Sequence, residues 1–159
     1  MTRKLFSVLI AICIVIGILP CTAIAVDAEA TYTTSDGTAE GSFLKAIANV
    51  TDGGTITLLK NIEVDGTVTS PINKSFTLLG EGYKVKITSG SIRINGSAVV
   101  YLGRADYSET LKIYSTDNLS SIFNIQDSAE LYIYDNVTLG PSTCVNSVGG
   151  IHLSEDAEL

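Results

Sequence analysis

The 159-residue chain is expected to fold as an all-β solenoid of short stacked strands, with one short helix closing its N-terminal end. Three observations carry this expectation. From Thr55 onward, short apolar runs alternate with polar residues at a period of two. One stretch before them, Ser42 to Val50, keeps the helical period instead. The strand runs also repeat one another in register, with length differences confined to the turns.

The first residues read as an export signal. Met1-Thr2-Arg3-Lys4 is a short basic segment, and Leu5 to Leu19 is apolar but for Ser7 and Gly17. Those 15 residues are too few to cross a bilayer as a helix, which takes ~20, and they suit the apolar part of a signal peptide. Pro20 ends the run. Ala23-Ile24-Ala25 supplies the small residues a signal peptidase reads, so residues 1–25 are expected to be removed after Ala25. Ala28-Glu29-Ala30 offers a second place for the cut. The alternatives are an uncleaved anchor or a lipid on Cys21, the latter disfavoured because Pro20 stands where a small residue is required. The implied location is secreted or extracellular, at a bacterial cell surface, with membrane contact only through the export signal.

The chain holds 17 acidic and 10 basic residues, and removal of Arg3 and Lys4 with the signal leaves a net charge of −9. A surface so acidic repels phosphate backbones, which excludes nucleic acid as a partner. Cys13 and Cys21 belong to the signal, so Cys144 stands alone and no intrachain disulfide is expected.

Residues 26–40 are rich in Thr, Ala, Ser and acid without a period, and read as a flexible leader. Ser42 is a good helix N-cap. Phe43, Leu44, Ile47, Ala48 and Val50 are expected on one face, and Asp52-Gly53-Gly54 stops the helix. The strands follow: Ile56–Leu58, Ile62–Val64, Phe76–Leu78, Val85–Ile87, Ile92–Ile94, Val100–Leu102, Leu111–Ile113, Leu131–Ile133, Val137–Leu139 and Ile151–Leu153. Strict alternation buries one face of each and wets the other. Turn dipeptides such as Asp65-Gly66 and Asn95-Gly96 keep an antiparallel β-sandwich open as the alternative fold.

The repeats favour the solenoid. Ile92 to Leu102 matches Phe123 to Ile133 at an offset of 31, with the Ser-Ala pair and the tyrosine retained. Ile151 to Leu159 matches the second copy at an offset of 28, and Ile72 to Leu78 matches from Ile94 at 22. Each repeat then has three strands and turns of variable length, as stacked coils do. The inward positions would be Ile94, Val100, Leu102, Ile125, Leu131, Ile133 and Leu153. This register sets Leu159 opposite Leu131, in mid-repeat, so a domain over 41–159 is expected to continue beyond the last residue.

The stretch Phe43-Leu44-Lys45-Ala46-Ile47, then Gly53-Gly54-Thr55-Ile56-Thr57-Leu58, then Phe76-Thr77-Leu78-Leu79-Gly80-Glu81-Gly82 resembles the opening of right-handed parallel β-helix domains of the pectate-lyase-like superfold. Asn136-Val137-Thr138-Leu139 and Gly149-Gly150-Ile151-His152-Leu153 are similar to repeats of large secreted surface proteins of Gram-positive bacteria. The resemblance, over about Gly41 to Leu159, implies a helix that plugs the first coil. It carries no catalytic residue by itself.

No catalytic set is expected. Arg93 and Arg104 are the arginines left after the signal, and neither sits in a lyase-like motif. Asp127 with Glu155 or Asp156 is the one carboxylate pairing the register suggests for acid–base work, and solvated turn acids explain it as well. His152 points outward with no partner in view to make it a base or a ligand. No metal or cofactor motif occurs. The outward tyrosines are the candidate site. Tyr101 and Tyr132 are equivalent at the offset of 31, Tyr134 follows on the same face, and Tyr114 points outward from the next strand. Such rings stack on sugars, and they also simply suit half-exposed strands. The expected function is a non-catalytic structural or adhesive module that meets an extracellular polysaccharide or host surface protein. Its turns Arg104–Thr110 and Pro141–Val148 would be displayed to the partner. The alternative is the first part of a polysaccharide lyase or glycoside hydrolase with its active coils beyond residue 159.

Overall fold

A computed structural model describes residues 27–66, 71–115, 122–140, 145–147 and 150–153 of the chain. Its elements run β1 (Ala30–Thr34), β2 (Gly37–Gly41), α1 (Phe43–Asn49), β3 (Gly54–Leu58), β4 (Ile62–Gly66), β5 (Phe76–Leu79), β6 (Lys84–Gly90) and β7 (Ile92–Ile94). There follow β8 (Val99–Leu102), β9 (Leu111–Ser115), β10 (Phe123–Ile125), β11 (Glu130–Ile133), β12 (Val137–Leu139), β13 (Val145–Ser147) and β14 (Gly150–Leu153). They form three sheets, ordered β14-β11-β8-β5-β3-β1-β2, β13-β10-β7 and β12-β9-β6-β4. Strands that follow one another in the chain beyond β2 enter different sheets, and each pairs in parallel with its counterpart one coil away. This is a parallel β-solenoid, and the sandwich alternative is excluded.

Alternation explains why these short runs become strands. On the long sheet the residues of one parity point in and stack, so Ile56, Leu78, Leu102 and Ile133 form one column and Phe76, Val100 and Leu131 another. All seven are buried. The three-stranded sheet adds Ile92 beside Phe123 and Ile94 beside Ile125, with Ile72 bridged to Ile94. The four-stranded sheet adds Ile62, Val85, Ile113 and Leu139 in one line. Burying a residue of this size is worth roughly 1.5–3 kcal/mol, so each coil gains only by lying on the next, and the stack is the unit of stability. Leu153 continues the column of Ile133 by register but is 46% exposed, because no described residue covers it.

The turn chemistry also repeats. Gly96 (φ 69°) lies between β7 and β8, and Asp127 (φ 57°), in the equivalent place one coil on, adopts the same left-handed backbone. The Asp127 carboxylate accepts the Gly96 N–H at 3.1 Å, tying the two corners together. Asn95-Gly96 therefore turns the chain from one sheet into the next rather than closing a hairpin.

The N-terminal end departs from the repeat. Residues 30–40, expected in a flexible leader, form with Gly41 the antiparallel hairpin β1–β2, and β1 pairs antiparallel with β3. The reason is burial: Ala30 and Tyr32 face the core, while Thr31 and Thr33 do not, a short alternation the polar composition conceals. Ser42 caps α1, its hydroxyl accepting the Lys45 N–H at 3.3 Å, and Glu29 accepts the Phe43 N–H at 2.8 Å. At the other end Lys74 donates to the carbonyls of Ala48 and Val50. The buried face of α1 is Phe43, Ala46 and Ile47, continued by Val50. Leu44 is 47% exposed and Ala48 is exposed too, so the expected face is displaced around the helix. Phe43 and Ile47 reach the same apolar interior as Ile72, Phe76, Val85 and Ile94, which plugs the first coil.

The third copy of the repeat lies in a different place from the one its match at 28 predicts. Ile151-His152-Leu153 does not lie on Phe123-Asn124-Ile125. It pairs with Leu131-Tyr132-Ile133, only 20 residues earlier, and β13 takes the place beside β10. A pattern of two apolar residues flanking a polar one occurs in all three sheets, so alternation alone does not say which sheet a strand enters. The segment expected to bring Leu159 opposite Leu131 lies outside the described residues.

Candidate functional site

The corrected register builds a site on the outer face of the long sheet. Parallel strands lie about 4.8 Å apart, so identical outward positions on successive coils bring side chains to stacking distance. Tyr101 of β8, Tyr132 of β11 and His152 of β14 occupy one such position. The Tyr101 and Tyr132 rings are 4.9 Å apart and inclined by 28°. The Tyr132 and His152 rings are 4.2 Å apart and inclined by 9°. Above them the same column continues with Thr77 and Thr55.

Glu130 lies two residues before Tyr132 on the same face. Its carboxylate accepts the Tyr132 hydroxyl at 2.9 Å. The same oxygen, Oε2, lies 3.5 Å from Nε2 of His152. Gly150 makes room for this contact. A Cβ there would stand 3.0 Å from His152 Nε2 and 3.4 Å from Glu130 Cγ. The hydrogen bond to Glu130 raises the pKa of the Tyr132 phenol, with desolvation and the Glu130 charge acting in the same direction.

Of the four tyrosines singled out by sequence, the structure brings Tyr101 and Tyr132 together. Tyr134 follows just beyond β11, its N–H donating to the Leu102 carbonyl, and its ring is not in the stack. Tyr114 stands on the four-stranded sheet, under Lys112 and against Gly140, and belongs to a different face. His152 and Glu130 are the members that sequence reasoning missed. Their signal was the spacing of 20 from Tyr132 to His152, which the match at 28 obscured.

Of the other candidates, Asp127 and Arg104 have structural tasks. Asp127 is engaged in its turn, and Glu155, Asp156 and Cys144 lie outside the described residues, as does the expected signal at 1–25. Arg104 pairs with Asp106 and lies 5.3 Å over the Tyr107 ring, whose hydroxyl donates to Glu81. The turn Arg104–Thr110 is thus internally tied; that at 141–148 is described only at 145–147. Among the described residues no three His, Cys, Asp or Glu side chains are grouped to hold a metal ion. No described helix is long and apolar enough to cross a membrane.

Compared with protein-family models, with curated proteins and with solved structures, the chain matches none.

Proposed function

We propose that the chain is a non-catalytic binding module of a secreted or cell-surface bacterial protein, and that its ligand is a glycan. The observation that carries this reading is the column Tyr101–Tyr132–His152, three flat rings held at coil spacing on a rigid sheet. Both faces of Tyr132 are covered by its neighbours, so the C–H face of a sugar ring would meet the outer face of Tyr101 or of His152 at an end of the column, or the ring edges along it. Glu130 stands beside the column as an acceptor for sugar hydroxyls, with the Tyr132 hydroxyl already on one of its oxygens. The rings are in place before the ligand arrives, so little ordering cost falls on binding. Export and the pectate-lyase-like kinship rest on the sequence features above and belong to this proposal.

The test is retention of the chain on immobilised plant, host and bacterial polysaccharides, with newly released sugar ends counted in the same wells. The parent is expected to be retained by at least one polymer without releasing ends. Tyr101→Ala and Tyr132→Ala should each weaken that retention about tenfold, equivalent to ~1.4 kcal/mol. Unchanged retention in both variants would end the reading. Turnover on any polymer would replace it with the enzyme alternative.

A further inference from the structure

A second arrangement lies on another face, apart from the aromatic column. On the outer side of the four-stranded sheet, Lys84 of β6 stands directly beside Lys112 of β9, and Lys86 beside Tyr114. Lys84 and Lys112 are both exposed. Lys86 is paired with Glu63 of β4 at 2.8 Å. Lys112 lies 5.5 Å over the Tyr114 ring. Among the described residues neither Lys84 nor Lys112 has a carboxylate partner. Of the acids in the turns leading into these strands, Glu81 accepts from Tyr107 and Asp106 pairs with Arg104, while Glu109 sets its carboxylate near Gly82 without reaching either lysine.

Like charges set directly opposite on neighbouring strands repel. A chain with 17 acidic residues against 10 basic ones pairs Lys86 here and leaves these two without an acid. An anion held between the two ammonium groups would remove that repulsion.

We propose that Lys84 and Lys112, with Tyr114, form a binding site for a sulfated glycan. Three features select this class. The outward positions of the sheet hold lysines and no arginine, so the face offers point charges in place of the planar fork that grips carboxylate and phosphate through two parallel bonds. Compact ammonium groups suit the tetrahedral oxygens of a sulfate ester. The net charge of −7 works at long range against a phosphodiester chain, which is charged at every link. A polymer with sulfates spread over neutral rings suffers less, and Tyr114 gives one ring a flat surface beside the charge.

The experiment measures retention of the full chain on dextran sulfate of low substitution (most of its rings unsulfated), on polygalacturonate and on plain dextran, at one fixed ionic strength. Binding to dextran sulfate is expected, and weaker binding to the other two. The double variant Lys84→Gln/Lys112→Gln should lose at least tenfold. Lys45→Gln/Arg93→Gln removes the same charge elsewhere and should bind as the parent does. Tyr101→Ala should also bind dextran sulfate as the parent does, which separates this site from the aromatic column. Circular dichroism of each variant checks that the coils persist. Parent-like binding by the Lys84/Lys112 variant would overturn the proposal. So would an equal loss in the Lys45/Arg93 variant, loss with Tyr101→Ala, or retention on polygalacturonate as strong as on dextran sulfate.

Discussion

The two faces of a single strand, β11, obey different rules. Inward, Leu131 and Ile133 are buried in columns whose other members are Val100, Phe76, Leu102, Leu78 and Ile56. Any apolar residue of suitable volume serves there. Outward, Tyr132 belongs to a column that changes from Thr55 and Thr77 to Tyr101, Tyr132 and His152, and Glu130 stands in the next row, between Val99 and Gly150. No packing rule demands that order. The inner face sets the register, and the outer face inherits it. Stacking distances between Tyr101, Tyr132 and His152 are therefore a by-product of apolar residues that never touch a ligand.

That division can be broken most severely from inside. Ile133→Asp puts a carboxylate among apolar neighbours with no partner, and such a charge costs several kcal/mol even after the structure relaxes. Loss of the cooperative unfolding transition, or a drop of about 4 kcal/mol or more, is expected in chemical denaturation. Tyr132→Ser, one residue away on the outer face, should cost only about 1–2 kcal/mol, the value of its ring contacts. Equal effects would mean that the two faces are not distinct in energy.

The corners sharpen the same point at smaller scale. At Gly80 a Cβ would stand 2.4 Å from the Thr110 carbonyl oxygen and 2.6 Å from Leu111 Cα, backbone of the next coil. Gly80→Ala must push two coils apart and should cost about 3 kcal/mol. Gly96 has φ +69° but open space around its Cα. Gly96→Ala should cost only the left-handed backbone penalty, ~1 kcal/mol. Denaturation midpoints of the two variants measure the contrast, and a cost at Gly96 as large as that at Gly80 would refute it.

Legibility in the sequence follows the same division. Inward alternation is a physical requirement repeated in every coil, so the strands from Ile56 to Leu139, and the pairing of Ile92–Leu102 with Phe123–Ile133, could be read directly. The hairpin at 30–41 could not, because Tyr32 and Ala30 are too few apolar residues to stand out from the threonines around them. The place of Ile151–Leu153 was misread because a coil of 20 residues from β11 to β14 follows one of 31, and Val145-Asn146-Ser147 lacks the second apolar residue of earlier copies. Half of the candidate site was lost with that register. Tyr101 and Tyr132 fell together at the equal offset, while His152 looked solitary until the shorter coil set it on Tyr132.

The finest test of the outer face is the Tyr132 phenol. Its pKa is raised above the ordinary tyrosine value, first by the hydrogen bond to Glu130 and then by desolvation and by the Glu130 charge. A phenol held protonated in the folded state stabilises the fold fully below its unfolded pKa of ~10. That contribution is lost as pH rises through the higher folded value. Glu130→Ala removes both the acceptor and the charge, so the Tyr132 resonance in a pH titration should move back toward ordinary tyrosine. Glu130→Gln keeps an acceptor and removes only the charge, so its shift should be in the same direction and smaller. The alkaline loss of stability tied to this phenol should likewise be smaller in Glu130→Ala, whose folded and unfolded values lie closer together. An unchanged Tyr132 titration in Glu130→Ala would show that the carboxylate does not hold the phenol in solution. The acceptor role given to Glu130 beside the ring column would then fall with it, while the stacking of the rings would stand.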